Sequence, residues 1–99
     1  MVICDLEFEW DESKESLNIK KHGVNFTEAV DSFFDPNGIQ LFDTAHSTNK
    51  EKRYYWVGKT KAGRILTTYF TKRRGKIRII GSAQWRKFRR YYHEATQNK

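Results

Sequence analysis

The chain has 99 residues, 37% of them hydrophobic, 31% charged and 15% aromatic, which is enough for one ring-rich core in a single domain and too apolar for a disordered tail. Its net charge of +7 conceals an asymmetry, since residues 1–51 carry four Lys/Arg against eleven Asp/Glu and residues 52–99 carry fifteen against the single Glu94. The basic surplus calls for an anionic partner, most simply nucleic acid, and the short apolar runs and acidic opening MVICDLEFEWDE exclude a membrane span or secretory leader, so a cytoplasmic chain without membrane contact is expected.

Taken in order, an extended opening around Glu7 to Trp10 leads to Asp11. This residue can cap a helix with Glu12 and Glu15 in its first turn and Lys20, Lys21 and His22 in its last, the order the helix dipole favours. Gly23 supplies a left-handed stop. With only Leu17 and Ile19 apolar, this helix should lie mostly exposed. Asn25 followed by Glu28 reads as a capping box for a second helix, which packs Ala29, Val30 and Phe33 inward and ends at Asp35-Pro36.

The period then changes from helical to alternating, predicting strands near Ile39 to Asp43, Arg53 to Thr60, Arg64 to Lys72 and Lys76 to Ser82. Short turns at Lys61-Ala62-Gly63 and Arg74-Gly75 make the last three an antiparallel meander. If Thr60 faces Arg64 and Arg73 faces Lys76, then Tyr54, Trp56, Leu66, Phe70, Ile77 and Ile79 share an apolar face. Arg53, Tyr55, Lys59, Thr67, Tyr69, Thr71 and Arg78 then share a basic, aromatic one. Ser82 can cap a closing helix from about Ala83 to Thr96 that docks Trp85, Phe88, Tyr92 and Ala95 and exposes Arg86, Arg90 and His93, with Lys87 and Tyr91 beside them. The predicted class is α+β: two N-terminal helices, an antiparallel sheet of about four strands and a C-terminal helix.

Several chemistries lack their residues. The chain has no HExxH and, after Glu51, a single acidic residue, so no metal site is expected in the basic half. Its glycines stand in neither phosphate-cradle order, so no cofactor is expected either, and the lack of GxSxG argues against acyl transfer. The lone Cys4 excludes an internal disulfide and reads as an ordinary buried or semi-buried residue. Cations, hydroxyls and rings remain, and RNA cleavage by its own 2′-OH suits them. That reaction needs alignment, a proton acceptor, cationic stabilisation of the phosphorane-like charge and a proton donor.

Phe8-Glu9-Trp10-Asp11, Lys20-Lys21-His22-Gly23-Val24-Asn25-Phe26, Asp35-Pro36, Arg53, the strand opening at Arg64, and Ile77-Arg78-Ile79-Ile80 before a basic, Tyr-bearing helix together resemble the BrnT family. These are toxins of bacterial type II toxin-antitoxin pairs. The resemblance runs from about residue 7 to 92. It implies a RelE-like fold, ribonuclease activity that halts translation, and a BrnA-like antitoxin that masks the toxin, with operator DNA bound only through that complex. In many members the last strand runs into Ser-Ala-Arg, whereas here Gln84-Trp85 intervene before Arg86.

The residues assigned to catalysis are Arg64 and Arg78 as phosphate ligands, Arg64 through the resemblance, with His22 or Tyr69 transferring protons. Lys21, Arg53, Tyr55, Lys59, Arg86, Lys87 and Arg90 are assigned to RNA binding. His46 and His93 read as loop and tail residues, and the group Glu7, Glu9, Asp11 and Glu12 as strand alternation and a helix start. The rival readings are a non-catalytic nucleic-acid-binding module and a purely protein-binding partner.

Overall fold

A computed structural model describes residues 7–97; Cys4 lies outside them. In chain order the elements are β1 (Phe8–Trp10), α1 (Glu12–His22), α2 (Phe26–Ser32), β2 (Ile39–Phe42), β3 (Arg53–Lys59), β4 (Ile65–Arg73), β5 (Lys76–Ala83) and α3 (Arg86–Gln97). The Asp11 carboxylate accepts the Ser13 and Lys14 N–H groups at the start of α1, and Gly23 stops the helix at φ 67°. Asn25 Oδ1 accepts the Glu28 N–H at 2.8 Å. Glu15 Oε2 takes the Phe26 N–H, a further donor of the first turn, at 2.9 Å, and the Glu28 carboxylate turns to Arg64. Helix α2 ends at Ser32, before Asp35-Pro36, as the Phe33 and Phe34 N–H groups turn to the carbonyls of Val30 and Asp31.

The sheet has five strands in the order β1-β5-β4-β3-β2, which corrects the expected four antiparallel ones. The extended opening pairs parallel to β5, with Phe8 opposite Ile77, Glu9 opposite Arg78 and Trp10 opposite Ile79. A parallel partner that joins the sheet only when the last strand arrives leaves no turn signature in the sequence. The meander keeps the predicted register: Thr60 N–H bonds the Arg64 carbonyl, Tyr54 faces Phe70 and Arg73 faces Lys76. A bulge follows, for Phe70 faces Ile79 whereas Tyr69 faces Gly81, which leaves Ile80 as the extra residue.

Helix α3 starts at Arg86 rather than Ala83 because Ser82 is used as a strand anchor. Its hydroxyl meets Thr68 Oγ1 at 3.0 Å, its N–H goes to Asn18 Oδ1 and its carbonyl accepts from Asn18 Nδ2, so this buried asparagine fastens α1 to β5. Two apolar clusters result. Phe26, Ala29 and Phe33 pack on Phe70, Ile77 and Ile79 beneath α2. Val57, Ile65 and Tyr92, with Ile39, Leu41 and Phe88, pack on the opposite face beneath α3. The second face, expected to be basic and aromatic, is therefore apolar at one end and open at the other.

Candidate active site

The open end of the second face is ordered by strand register. One row across the sheet runs Arg53, Thr71, Arg78, Glu9, and the next runs Leu41, Tyr55, Tyr69, Gly81. Arg53 and Arg78 thus stand on one row two strands apart, about 10 Å between backbones, Arg53 turned to Glu51 and Arg78 to Glu9. Tyr55 and Tyr69 have ring centroids 4.9 Å apart, and Trp85 and Phe88 close over them at 4.9 and 5.2 Å.

The chain after β2 completes this end. Asp43 is 6% exposed and its Oδ2 meets His46 Nδ1 at 2.8 Å, while Oδ1 accepts the His46 N–H. A carboxylate only accepts, so Nδ1 carries the proton, and in the neutral ring Nε2 presents its lone pair. The imidazole itself is largely exposed. Ser47 ties this turn to β3, its hydroxyl donating to the Asp43 carbonyl at 2.6 Å and accepting the Arg53 N–H at 2.8 Å. A hollow of about 210 Å³ opens between Asp43, His46, Arg53, Tyr69 and the bulged Ile80.

Electrostatics keeps the hydroxyls here protonated. Burial, followed by the neighbouring Tyr55 and Asp43, pushes the Tyr69 phenol up to about 12. Burial and then the Asp43 carboxylate also raise Tyr55. Glu51 lies between two cations, Arg53 Nε at 2.9 Å and Arg73 Nη2 at 3.1 Å, and the Arg53 bond holds its carboxyl below the usual range against the opposing effect of burial. Arg78 Nη1 stands 3.3 Å from Glu9 Oε2, beside a further hollow of about 320 Å³ lined by Glu9, Arg73, Arg74, Lys76 and Arg78.

The structure brings Arg53, Tyr55 and Tyr69 together at this end of the face, sets Arg78 in the neighbouring hollow, and separates the rest. Arg64 lies seven residues from Thr71 along β4, roughly 23 Å, so it and Arg78 cannot grip a single phosphate. Its guanidinium instead clasps Glu28 Oε2 at 2.6 Å, and Nη2 donates to the Gly23 carbonyl and Gln84 Oε1, joining α1, α2 and the β5–α3 connection. His22 reaches the tyrosines only through Trp85, 6.4 Å from its ring. Lys59 is exposed at the far end of β3, where its N–H bonds Asp35, and Lys21 is exposed on α1. Arg86, Lys87 and Arg90 are exposed on α3, with Lys87 Nζ 5.5 Å from the Phe88 ring centre. His46, read as a loop residue, belongs to the hollow. The signal for it was an Asp and a His three apart immediately after a strand. Among the described residues no three His, Cys, Asp or Glu side chains converge as a metal site would require, and no helix is long and apolar enough to cross a membrane.

Residues 10–88 match the family described as the ribonuclease toxin, BrnT, of a type II toxin-antitoxin system. No curated protein sequence matches the chain. Its fold is similar to that of the Brucella abortus ribonuclease toxin BrnT, seen in a 1.1 Å crystal structure, with a TM-score of 0.61 and 18% identity over 81% of this chain and 96% of that one.

Proposed function

The chain belongs to the BrnT family of type II toxin-antitoxin ribonuclease toxins, and from that premise we propose that it cleaves RNA at the Asp43–His46–Arg53–Tyr69 hollow without a metal ion, halting translation. The observation that carries this reading is the buried Asp43 carboxylate holding His46 Nδ1 at 2.8 Å beside an arginine and a protonated tyrosine. His46 Nε2 takes the proton of the 2′-OH as that oxygen bonds to phosphorus. The bond from phosphorus to the 5′-oxygen breaks, giving a 2′,3′-cyclic phosphate and a 5′-hydroxyl. Tyr69 donates the proton to the departing oxygen, and the phenolate is refilled from the imidazolium through solvent. Arg53 and Arg78 hold the charge that builds on the phosphorus oxygens.

Arg86, Lys87 and Arg90 extend the backbone contacts along α3, and Tyr55 backs Tyr69 and holds Asp43. Arg64 and His22 stabilise the far end, and Lys21 and Lys59 attract RNA there only at long range. A type II system implies an antitoxin partner; a BrnA-like protein would cover this basic face and carry the complex to operator DNA. The test is incubation of the purified chain with single-stranded RNA in excess chelator. Cleavage leaving cyclic phosphate ends, lost in His46→Ala, is expected. Transcripts left whole, alone and with ribosomes present, would reject the enzyme, and salt-sensitive binding without cleavage would favour a binding module.

A further inference from the structure

The turn joining β4 to β5 breaks a local rule. Arg74 has φ 54° and Gly75 φ 79°, and Arg74 is the one non-glycine residue with positive φ among the described residues. A two-residue hairpin with both φ values positive favours Asn-Gly, Asp-Gly or Gly-Gly, because a long side chain gains nothing locally from that conformation and crowds its own carbonyl. A sequence that keeps arginine there forgoes the relaxed turn for a guanidinium at the tip.

The surroundings indicate what that guanidinium serves. Arg73, Arg74, Lys76 and Arg78 line the hollow of about 320 Å³ with one carboxylate, Glu9. Glu9 pairs with Arg78, and Arg73 turns to Glu51. Among the described residues no carboxylate pairs with Arg74 or Lys76. Two of the four cations around this concavity are therefore unmatched, and their charge favours an anion there. Arginine forks suit the oxygens of a phosphodiester. This hollow also adjoins the first: Arg78 lines one and Ile80 the other, two residues or about 7 Å along β5, comparable with the separation of successive phosphates in an unstacked strand.

We propose that the β4–β5 hairpin tip is a second phosphate site, in which Arg74 and Lys76 hold the RNA backbone one nucleotide away from the bond being cut. The inference rests on the RNA-cleavage reading for its ligand.

The test uses Arg74→Asn, which gives the turn its preferred residue and removes the cation. The full chain is titrated with a fluorescein-labelled, single-stranded 2′-deoxy oligonucleotide, which cannot be cleaved. Arg74→Asn is expected to melt a few degrees above the wild type yet bind the oligonucleotide roughly 3- to 10-fold more weakly at low salt, its slope of log K against log salt shallower by about 0.7. Arg74→Lys should keep the wild-type slope, and Lys61→Ala, at the opposite hairpin, should keep both slope and affinity. Wild-type affinity and slope in Arg74→Asn would overturn the site. So would an unchanged slope with weakened binding of the purified antitoxin, which would make the tip a protein contact. RNA cleavage by the wild type is measured in parallel, so that cleavage with an unchanged slope rejects this site alone, and a lowered slope without cleavage rejects the catalytic reading alone.

Discussion

His46 differs from His22 and His93 in what its ring meets: a nearly buried carboxylate on Nδ1, where the others have an aromatic edge. That contact fixes both the orientation and the tautomer of the ring, which is what a general base requires and what a loop histidine otherwise lacks. Replacing His46 with alanine is expected to slow RNA cleavage by about 10²- to 10⁴-fold with little change in melting temperature, as measured by single-turnover kinetics and a thermal melt. Arg64 should behave in the opposite sense. Its partners Glu28, Gly23 and Gln84 all belong to the scaffold, and the Glu28 pair is about one-third exposed, so Arg64→Ala should cost about 1 kcal/mol of stability or less. Cleavage per folded molecule should stay within about twofold, and a loss on the scale of His46→Ala would return Arg64 to the reacting phosphate.

At the scale of elements, α3 is fastened at its far end by one polar contact. The Tyr92 hydroxyl donates to Asp35 Oδ2 at 2.6 Å, and the same carboxylate accepts the Lys59 and Asn37 N–H groups. Burial opposes ionisation of Asp35, yet these bonds outweigh it and hold the carboxyl below its ordinary value. Burial and then the bond to Asp35 push the Tyr92 phenol up to about 12. A lowered carboxylate contributes stability that is present above the unfolded value and lost as pH falls through the folded one. A raised phenol contributes stability that is present below about 10 and lost as pH rises through about 12. Tyr92→Phe should therefore lower stability near neutral pH by about 1.5 kcal/mol and flatten both limbs, in urea midpoints taken across pH. An alkaline limb as steep as the wild type's would assign that loss to Tyr69 instead. The helix itself was legible from the spacing of Trp85, Phe88 and Tyr92, but its start was not. Ser82 looks like a helix cap in sequence, and only the approach of Asn18 from a distant helix commits it to the strand. The meander was legible because its turns are short and local, and Arg53, Tyr55, Tyr69 and Arg78 fell on one face with it. Strand β1 and the Asp43–His46 contact were not, since one depends on pairing across most of the chain and the other on which way a loop folds.

Over the whole molecule, the sequence asymmetry becomes a difference between faces. The acidic start of α2 lies with that helix on one side of the sheet, while Arg53, Arg73, Arg78 and the basic residues of α3 border the other; α1, which also opens on acidic residues, is fastened to β5. The ion pairs among the described residues are few and partly exposed, so they offset only part of the repulsion left by a net charge of +7. Salt should then act in two opposed ways in one melting experiment. For the free protein, raising NaCl from about 0.05 to 0.5 M shortens the Debye length from above 10 Å to a few ångströms and should raise the melting temperature by screening self-repulsion. With an uncleavable oligonucleotide at about a hundred times its low-salt Kd, binding adds about 2.7 kcal/mol, roughly 10 °C or more for a chain of this size. That increment should vanish at high salt as the phosphate contacts weaken. The two curves should converge, the free protein rising and the complex falling. A free protein that loses stability with salt would mean that its ion pairs outweigh its net repulsion, and the basic face would then need no polyanion to explain it.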